Sequence, residues 1–480
     1  MTVPYPRIAG CIPAAAFAAI AAGPTATAQA QFAEPGVVVH QRFAGEGRFG
    51  WAVSPLADID GDGAMEAINC APFAGGTPGV LGDGRVVVHS GLGGGVLMDL
   101  GPSGPNENFG WAIADAGDVD GDGAHDVVVG ATRRGGFEGS AYVFSGGAAT
   151  RGDLIRRVDS FNGSELFGYA VTGLGDVDGD GFGEVAVGAA FSDVTDPTSI
   201  GSNDGRAYVL RGSDGSALHT LEGWGEGALF GSGIGAVGDI DGDGATDFAV
   251  GSPGANRADV FSGRTGAHLL GPLEPTVTGR AFGQFFTGAA GDTNNDGTPD
   301  VYVGDFNGGS GGHFYVYSGV DGAVLLSVAG GGPDGLGFGL GCGRGAGDVD
   351  GDGHDDIISG SYLANRATVV SGRTGGVLRT MSYLVPGSQF GFDAVGIGDV
   401  TGDGTVDFFV GAALGDEALI IDGVACVADF DSDGELTLFD FLAFQNAFDA
   451  GEPTSDIDRD GELTLFDFLA FQNAFDAGCA

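Results

Sequence analysis

The sequence contains no lysine: all 19 basic residues are arginine, against 65 acidic ones, for a formal charge of −46. That balance excludes nucleic acid as a partner, because phosphate recognition needs a basic surface, and it disfavours anionic membranes. Cysteine is scarce, with 5 in 480 residues. No apolar run after residue 30 has the length of a membrane span. There is no H-E-x-x-H, nucleophile elbow or phosphate-cradling loop. With 97 glycines, a G-x-G-x-x-G match carries no information. The histidines (His40, His89, His125, His219, His268, His313, His354) are scattered without metal-site spacing. What remains is 43% hydrophobic, only 18% charged and rich in glycine, a mixture suited to many short strands joined by tight turns.

The first 30 residues stand apart. Arg7 precedes an apolar, Ala-rich run from Ile8 to Gly23, and Ala28 and Ala30 fit an A-x-A cleavage site. This reads as a signal peptide over 1–30 with cleavage near Ala30/Gln31, hence a secreted or cell-surface protein. The Ile8–Cys11 tetrapeptide mimics a lipobox but lacks the apolar run that should precede it. Export permits disulfides. Cys70 and Cys342 fall in separate repeats and read as buried thiols, whereas Cys426 and Cys479 bracket the C-terminal segment and are placed either to clasp it or to stay unpaired.

The pattern of GDVDGDGAHDVVVG (Gly117–Gly130) occurs seven times, its first aspartates at Asp58, Asp118, Asp176, Asp239, Asp292, Asp348 and Asp399, 51 to 63 residues apart. A Phe-Gly precedes each, at Phe49, Phe109, Phe167, Phe230, Phe282, Phe338 and Phe390, and an apolar run ending in glycine and a small residue follows. Further segments such as Ala141–Gly146 and Phe314–Gly319 bring each unit to about four short strands. Seven such units predict an all-β, seven-bladed β-propeller over 31–424. The last unit stops after its third strand, Ala418–Gly423, while an unmatched strand, Val37–Phe43, precedes the first unit. The N-terminal strand is therefore expected to complete the seventh blade as its outer strand, protecting an edge and joining the ends.

Phe-Gly, then D-x-D-x-D-G-x-x-D, then Gly-Ala-Pro or a variant resembles the FG-GAP repeat of the integrin α-subunit propeller, across all seven units. That resemblance implies calcium bound by the acidic loop between the first two strands of a blade. Integrin α chains carry only a few such loops and some carry an inserted adhesion domain; here nearly every unit has a loop and nothing interrupts the repeats.

The loop chemistry supports the same ion. Side chains at positions 1, 3 and 5 converge, glycine at 6 permits the turn, and a carbonyl at 7 with a carboxylate at 9 completes a shell of hard oxygens. Five loops are complete: Asp58, Asp60, Asp62, Ala64 (carbonyl) and Glu66; Asp118, Asp120, Asp122, Ala124 (carbonyl) and Asp126; Asp176, Asp178, Asp180, Phe182 (carbonyl) and Glu184; Asp239, Asp241, Asp243, Ala245 (carbonyl) and Asp247; Asp348, Asp350, Asp352, His354 (carbonyl) and Asp356. The fifth (Asp292, Asn294, Asp296, Thr298 carbonyl, Asp300) and seventh (Asp399, Thr401, Asp403, Thr405 carbonyl, Asp407) each replace one carboxylate and are expected to bind more weakly.

After Gly423 the chain turns to phenylalanine-rich helical sequence, and Asp433–Gly451 is repeated identically at Asp460–Gly478. Each copy closes a twelve-residue loop of EF-hand type: Asp429, Asp431, Asp433, Glu435 (carbonyl), Thr437 and Asp440; then Asp456, Asp458, Asp460, Glu462 (carbonyl), Thr464 and Asp467. Up to nine Ca2+ sites result, and nine ions would offset less than half of the formal charge. The tandem units over 425–480, ending in Gly478–Cys479, resemble a dockerin, which docks on a cohesin. Where dockerins carry Ser/Thr-type recognition residues this chain has Leu438 and Phe439, followed by Gln445 and Asn446. The tail is expected to attach the protein to a cohesin-like or other surface partner; the alternative is a calcium-stabilised cap on the propeller.

Nearly all clustered acids belong to repeated loops, whereas a catalytic pair would be unique. The expected function is therefore non-catalytic: a surface for an extracellular protein or glycan ligand. The alternatives are a carbohydrate-active enzyme (polysaccharide lyase or hydrolase) on a propeller scaffold and a structural component of an extracellular layer. Arg151-Gly152-Asp153 spells an adhesion tripeptide but is expected in a strand-connecting turn, and Trp51, Trp111 and Trp224 are expected in the propeller core or rim rather than in a sugar platform.

Overall fold

The computed structural model describes residues 31–477 apart from 35, 77–81, 195–201, 278, 280, 310, 332–339, 424–427, 429, 431–436, 452–454, 456 and 458–462. The signal-peptide, lipobox and Cys426/Cys479 expectations lie outside these residues, as does Phe338. Among the described residues twenty-eight strands form seven four-stranded antiparallel sheets; six run inner to outer in chain order, and in the seventh the outer strand comes from the N-terminus. Blade one, for example, comprises Val53–Leu56, Glu66–Ala71, Arg85–His89 and Val96–Leu100. The inner strands contact one another in sequence around the ring, the seventh (Phe390–Gly398) meeting the first (Val53–Leu56).

Burial explains why second strands read as continuous apolar runs rather than alternating ones. Every residue of all seven is buried, because both sheet faces pack against neighbouring blades. Outer strands such as Leu154–Asp159 are half-exposed and carry arginine and aspartate. The seventh blade is closed by the N-terminus: Val39–Ala44 pairs with Glu417–Ile421, with Phe43 opposite Ala418. The strand begins two residues later than expected, because its pairing starts at Val39 opposite Ile421.

The Phe-Gly and Gly-Ala motifs meet at the blade interfaces. Phe49, Phe109, Phe167, Phe230, Phe282 and Phe390 are all buried. The glycine after Phe230 has φ +87, and a Cβ on Gly188 of the preceding blade would lie 2.1 Å from its carbonyl oxygen. The last blade meets the first in the same way: a Cβ on Gly411 would lie 2.2 Å from the Gly50 oxygen. These obstacles are backbone and cannot rotate aside. Gly188→Ala is therefore expected to destabilise the fold by about 1–3 kcal/mol, read as a lower melting temperature in calorimetry; an unchanged melting temperature would show that the blades slide to accommodate it.

The C-terminal segment carries two helices, Leu438–Ala450 and Leu465–Ala477. Thr437 caps the first with a capping box to Asp440, and Gly451 ends it at φ 72. Phe444 and Phe471 stack face to face at 4.2 Å, joining the two copies through equivalent residues. Among the described residues no helix is long and apolar enough to cross a membrane.

Candidate metal centres

In each blade the acidic loop joins the inner strand to the second strand. Its position-9 acid is the first residue of the second strand: Glu66, Asp126, Glu184, Asp247, Asp300, Asp356 and Asp407. All seven are fully buried, while most of their partners at positions 1, 3 and 5 face solvent. A carboxylate at the rim of an apolar strand needs compensation, and the backbone supplies part of it.

The second loop illustrates the arrangement. Asp118 Oδ1 accepts the N–H groups of Gly121 at 2.7 Å and Asp122 at 3.0 Å, and Oδ2 accepts that of Gly123 at 2.9 Å. Asp126 Oδ2 accepts the Val119 N–H at 2.8 Å, folding the loop back on itself. Gly121 and Gly123, at φ 77 and 92, make this turn possible. In the fifth loop the first of these positions is Asn295 at φ 56, a residue that tolerates the left-handed region. The position-7 residue donates its N–H to the position-5 carboxylate (Ala124 to Asp122 at 2.9 Å, His354 to Asp352 at 3.0 Å), which leaves its carbonyl for a ligand.

Sequence reasoning missed the second duty of position 9. Asp126 Oδ1 accepts the N–H of Gly146, just past the third strand, at 2.9 Å. The same tie runs from Glu66 to Gly91, Glu184 to Gly212, Asp247 to Gly263, Asp300 to Gly319, Asp356 to Gly372 and Asp407 to Gly423. A conserved spacing in the repeat, the Ser-Gly or equivalent after each third strand, was the available signal.

The structure brings three carboxylates together in all five complete loops. Asp58, Asp60 and Asp62, and likewise Asp118, Asp120 and Asp122, place ligand oxygens within 4.8 Å of one another. In blades three, four and six the triplets are Asp176–Asp178–Glu184, Asp239–Asp241–Asp247 and Asp348–Asp350–Asp356. Among the described residues the fifth and seventh loops, where Asn294 and Thr401 replace a carboxylate, form no such triplet. In the tail, Asp440 and Asp467 are fully buried, and Asp467 accepts the N–H groups of Ile457 at 2.8 Å and Thr464 at 2.7 Å. Thr437 and Thr464 are also described. Asp429, Asp431, Asp433, Glu435, Asp456, Asp458, Asp460 and Glu462 lie outside the described residues.

Burial pushes Glu66, Asp126 and Glu184 each up to about 7 in the metal-free protein, and raises Asp247, Asp300, Asp356 and Asp407 as well. A carboxyl whose folded pKa exceeds its unfolded value stabilises the fold fully below the unfolded value and loses that stabilisation as pH rises through the folded one. Chelator-treated protein is therefore expected to melt at a lower temperature at pH 8 than at pH 5. A cation favours the ionised carboxylate and should reverse that order. Melting curves in EDTA and in calcium at both pH values check this; the same order in both would rule it out.

Other candidates fall into place around the loops. His125, raised by its hydrogen bond to Asp115 at 2.9 Å, is a spacer that ties the second loop to its inner strand. Arg151-Gly152-Asp153 lies in the turn before Leu154–Asp159, and the Arg151 guanidinium donates to the Ile59 carbonyl in the first acidic loop. Its arginine is thus committed to a neighbouring blade. A cavity of about 1000 Å³ runs between the inner strands. At its Phe-Gly end Trp51 contacts Trp111 at 5.2 Å and Phe392 at 4.8 Å, and Tyr169 and Phe285 continue the girdle at 5.3 Å. Trp51 is core and Trp111 half-buried; Trp224 is 52% exposed at the rim, with Arg257 over its ring at 4.6 Å. Cys70 and Cys342 are both buried.

Comparison with known proteins agrees with this architecture. An FG-GAP-like repeat family matches residues 239–303 and 348–410, and the FG-GAP repeat family matches 167–210. Integrin alpha-4 of Xenopus laevis is 33% identical over 154 residues, 30% of this chain and 14% of that protein. Integrin alpha-PS2 of Drosophila melanogaster is 32% identical over 213 residues (40% and 15%), and integrin alpha-V of Gallus gallus is 30% identical over 234 residues (45% and 21%). The chain thus spans 14 to 21% of the length of these relatives. Its propeller is integrin-α-like, with FG-GAP repeats.

Proposed function

We propose that the chain is an exported, calcium-loaded propeller that holds a rigid binding surface for a protein or glycan outside the cell, with a dockerin-like tail supplying attachment. The observation that carries the calcium reading is a fully buried acid in every blade, gathered in blades three, four and six with two further carboxylates. Such a group of like charges calls for a cation. The donor set of carboxylates and one carbonyl suits the flexible oxygen shell of calcium better than the strict octahedron of magnesium. The ions hold the loop against the strand, so their role is to stiffen the scaffold. Binding is favoured over catalysis because the clustered acids recur in every blade, whereas an acid–base pair would occur once.

The duplicated helices favour attachment. Leu438 and Phe439 are each 69% exposed, and Leu465 and Phe466 are 69% and 67% exposed. Large apolar side chains in solvent on a small segment mark an interaction surface. Pull-downs from cell-surface extract with residues 31–480 and 31–424 test the tail: one partner lost on truncation supports docking, and unchanged partners support the cap. A glycan and protein-ligand screen of the propeller, run beside an assay for polysaccharide cleavage, tests the binding role. Turnover abolished by replacing a single residue outside the loops would defeat it.

A further inference from the structure

The loops of blades five and six are joined by more than packing. Asp355, the spacer at position 8 of the sixth loop, accepts the Asp292 N–H through Oδ2 at 2.7 Å and donates its own N–H to the Asp292 carbonyl at 3.2 Å. His354, at position 7, places Nδ1 2.8 Å from the Thr293 carbonyl. Asp292 opens the fifth loop, and its carboxylate is already aimed by the N–H groups of Asp296 at 3.0 Å and Gly297 at 2.8 Å. Gly291 precedes it at φ +83; a Cβ there would lie 2.2 Å from Asp355 Oδ2, so the missing side chain is what lets the clamp close.

Two residues that ligate nothing through their side chains therefore fix the backbone of the first ligand of the neighbouring site. The sixth loop has its full set of four carboxylates; the fifth has Asn294 in place of one. We infer that sites five and six fill as a coupled pair, with Asp355 and His354 as positioning residues through which the complete sixth site organises the incomplete fifth. In an empty acidic loop the carboxylates repel one another against the N–H groups that hold them. Filling the sixth loop orders its spacers, the spacers hold Asp292, and the ordering cost of the fifth loop is reduced before its ion arrives. The coupling is reciprocal, and of the usual size would change affinity at least about 5-fold. The inference rests on the loops holding calcium.

Native mass spectrometry of the intact chain, titrated with calcium chloride at buffered free concentrations, tests it. At the lowest concentration that saturates the wild type, Asp350→Ala should lose two ions, one of which returns at about 5-fold more calcium. Asp241→Ala, the equivalent change in blade four, should lose one. Asp355→Ala, which removes no ligand, should also lose one ion, while Asp355→Asn, whose Oδ1 can still accept the Asp292 N–H, should keep it. Should Asp355→Ala fail to fold, the ion count of Asp350→Ala decides. Loss of a single ion by Asp350→Ala at every concentration, or of two by Asp241→Ala, overturns the coupling and leaves calcium binding intact. A wild-type propeller that takes up no calcium overturns both.

Discussion

Stripping the propeller of calcium with a chelator is expected to lower its melting temperature by roughly 10 °C, and millimolar calcium should restore it. Chelation leaves each complete loop with its carboxylates held by backbone N–H groups but facing one another; in blade two Asp118, Asp120 and Asp122 keep oxygens within 4.8 Å. With dissociation constants of about 10⁻⁴ to 10⁻³ M, usual for extracellular calcium modules, each filled site contributes about 1 kcal/mol at millimolar calcium. Five complete sites and two weaker ones give at most about 7 kcal/mol. A domain of about 400 residues unfolds with an entropy near 0.8 kcal/mol/K, which turns that sum into about 9 °C. Calorimetry in EDTA and in calcium measures it directly. Superimposable curves would mean that the loops are held by their N–H groups alone.

Much of this arrangement was legible in the sequence because a repeat announces itself in chemistry as well as in spacing. Phe-Gly marks the interface glycine that approaches the preceding blade, and D-x-D-x-D-G-x-x-D marks the turn between inner and second strands. Ring closure was legible from a deficit, a seventh unit lacking a fourth strand. Contacts between units were not, since no local pattern specifies which residue of one loop reaches the next. Asp355 reads as an ordinary spacer until Asp292 is seen 2.7 Å away. Arg151 reads as part of an adhesion tripeptide until its guanidinium is found on the Ile59 carbonyl. The aromatic girdle is a similar case. Trp51, Trp111 and Phe392 each follow a Phe-Gly, but Phe306 and Tyr362 come from the ends of second strands and join the same circuit, Phe306 meeting Tyr362 at 6.4 Å and Tyr362 meeting Phe392 at 5.7 Å.

Deleting residues 31–44 is expected to abolish the cooperative melting transition of the propeller, a larger effect than the loss of any one ion. The closing strand is the point where the two ends of the ring are joined. Phe43 is 4% exposed, stacks on His89 of blade one at 4.1 Å and meets Phe409 of blade seven edge-on at 6.2 Å. Arg42 donates to the Tyr383 hydroxyl of blade six at 2.8 Å and to Glu417 of blade seven. Upstream, Phe32 bridges to Tyr383, so the same segment reaches three blades. Without it Glu417–Ile421 becomes an unpaired edge able to recruit strands from other chains. Phe43→Ala separates the anchor from the edge: it keeps the backbone pairing and should cost about 3–5 kcal/mol, or about 4–6 °C by the same entropy. Light scattering with calorimetry distinguishes the two contributions. A monomeric deletion variant with an unchanged transition would mean that the contacts between inner strands close the ring without the N-terminal strand.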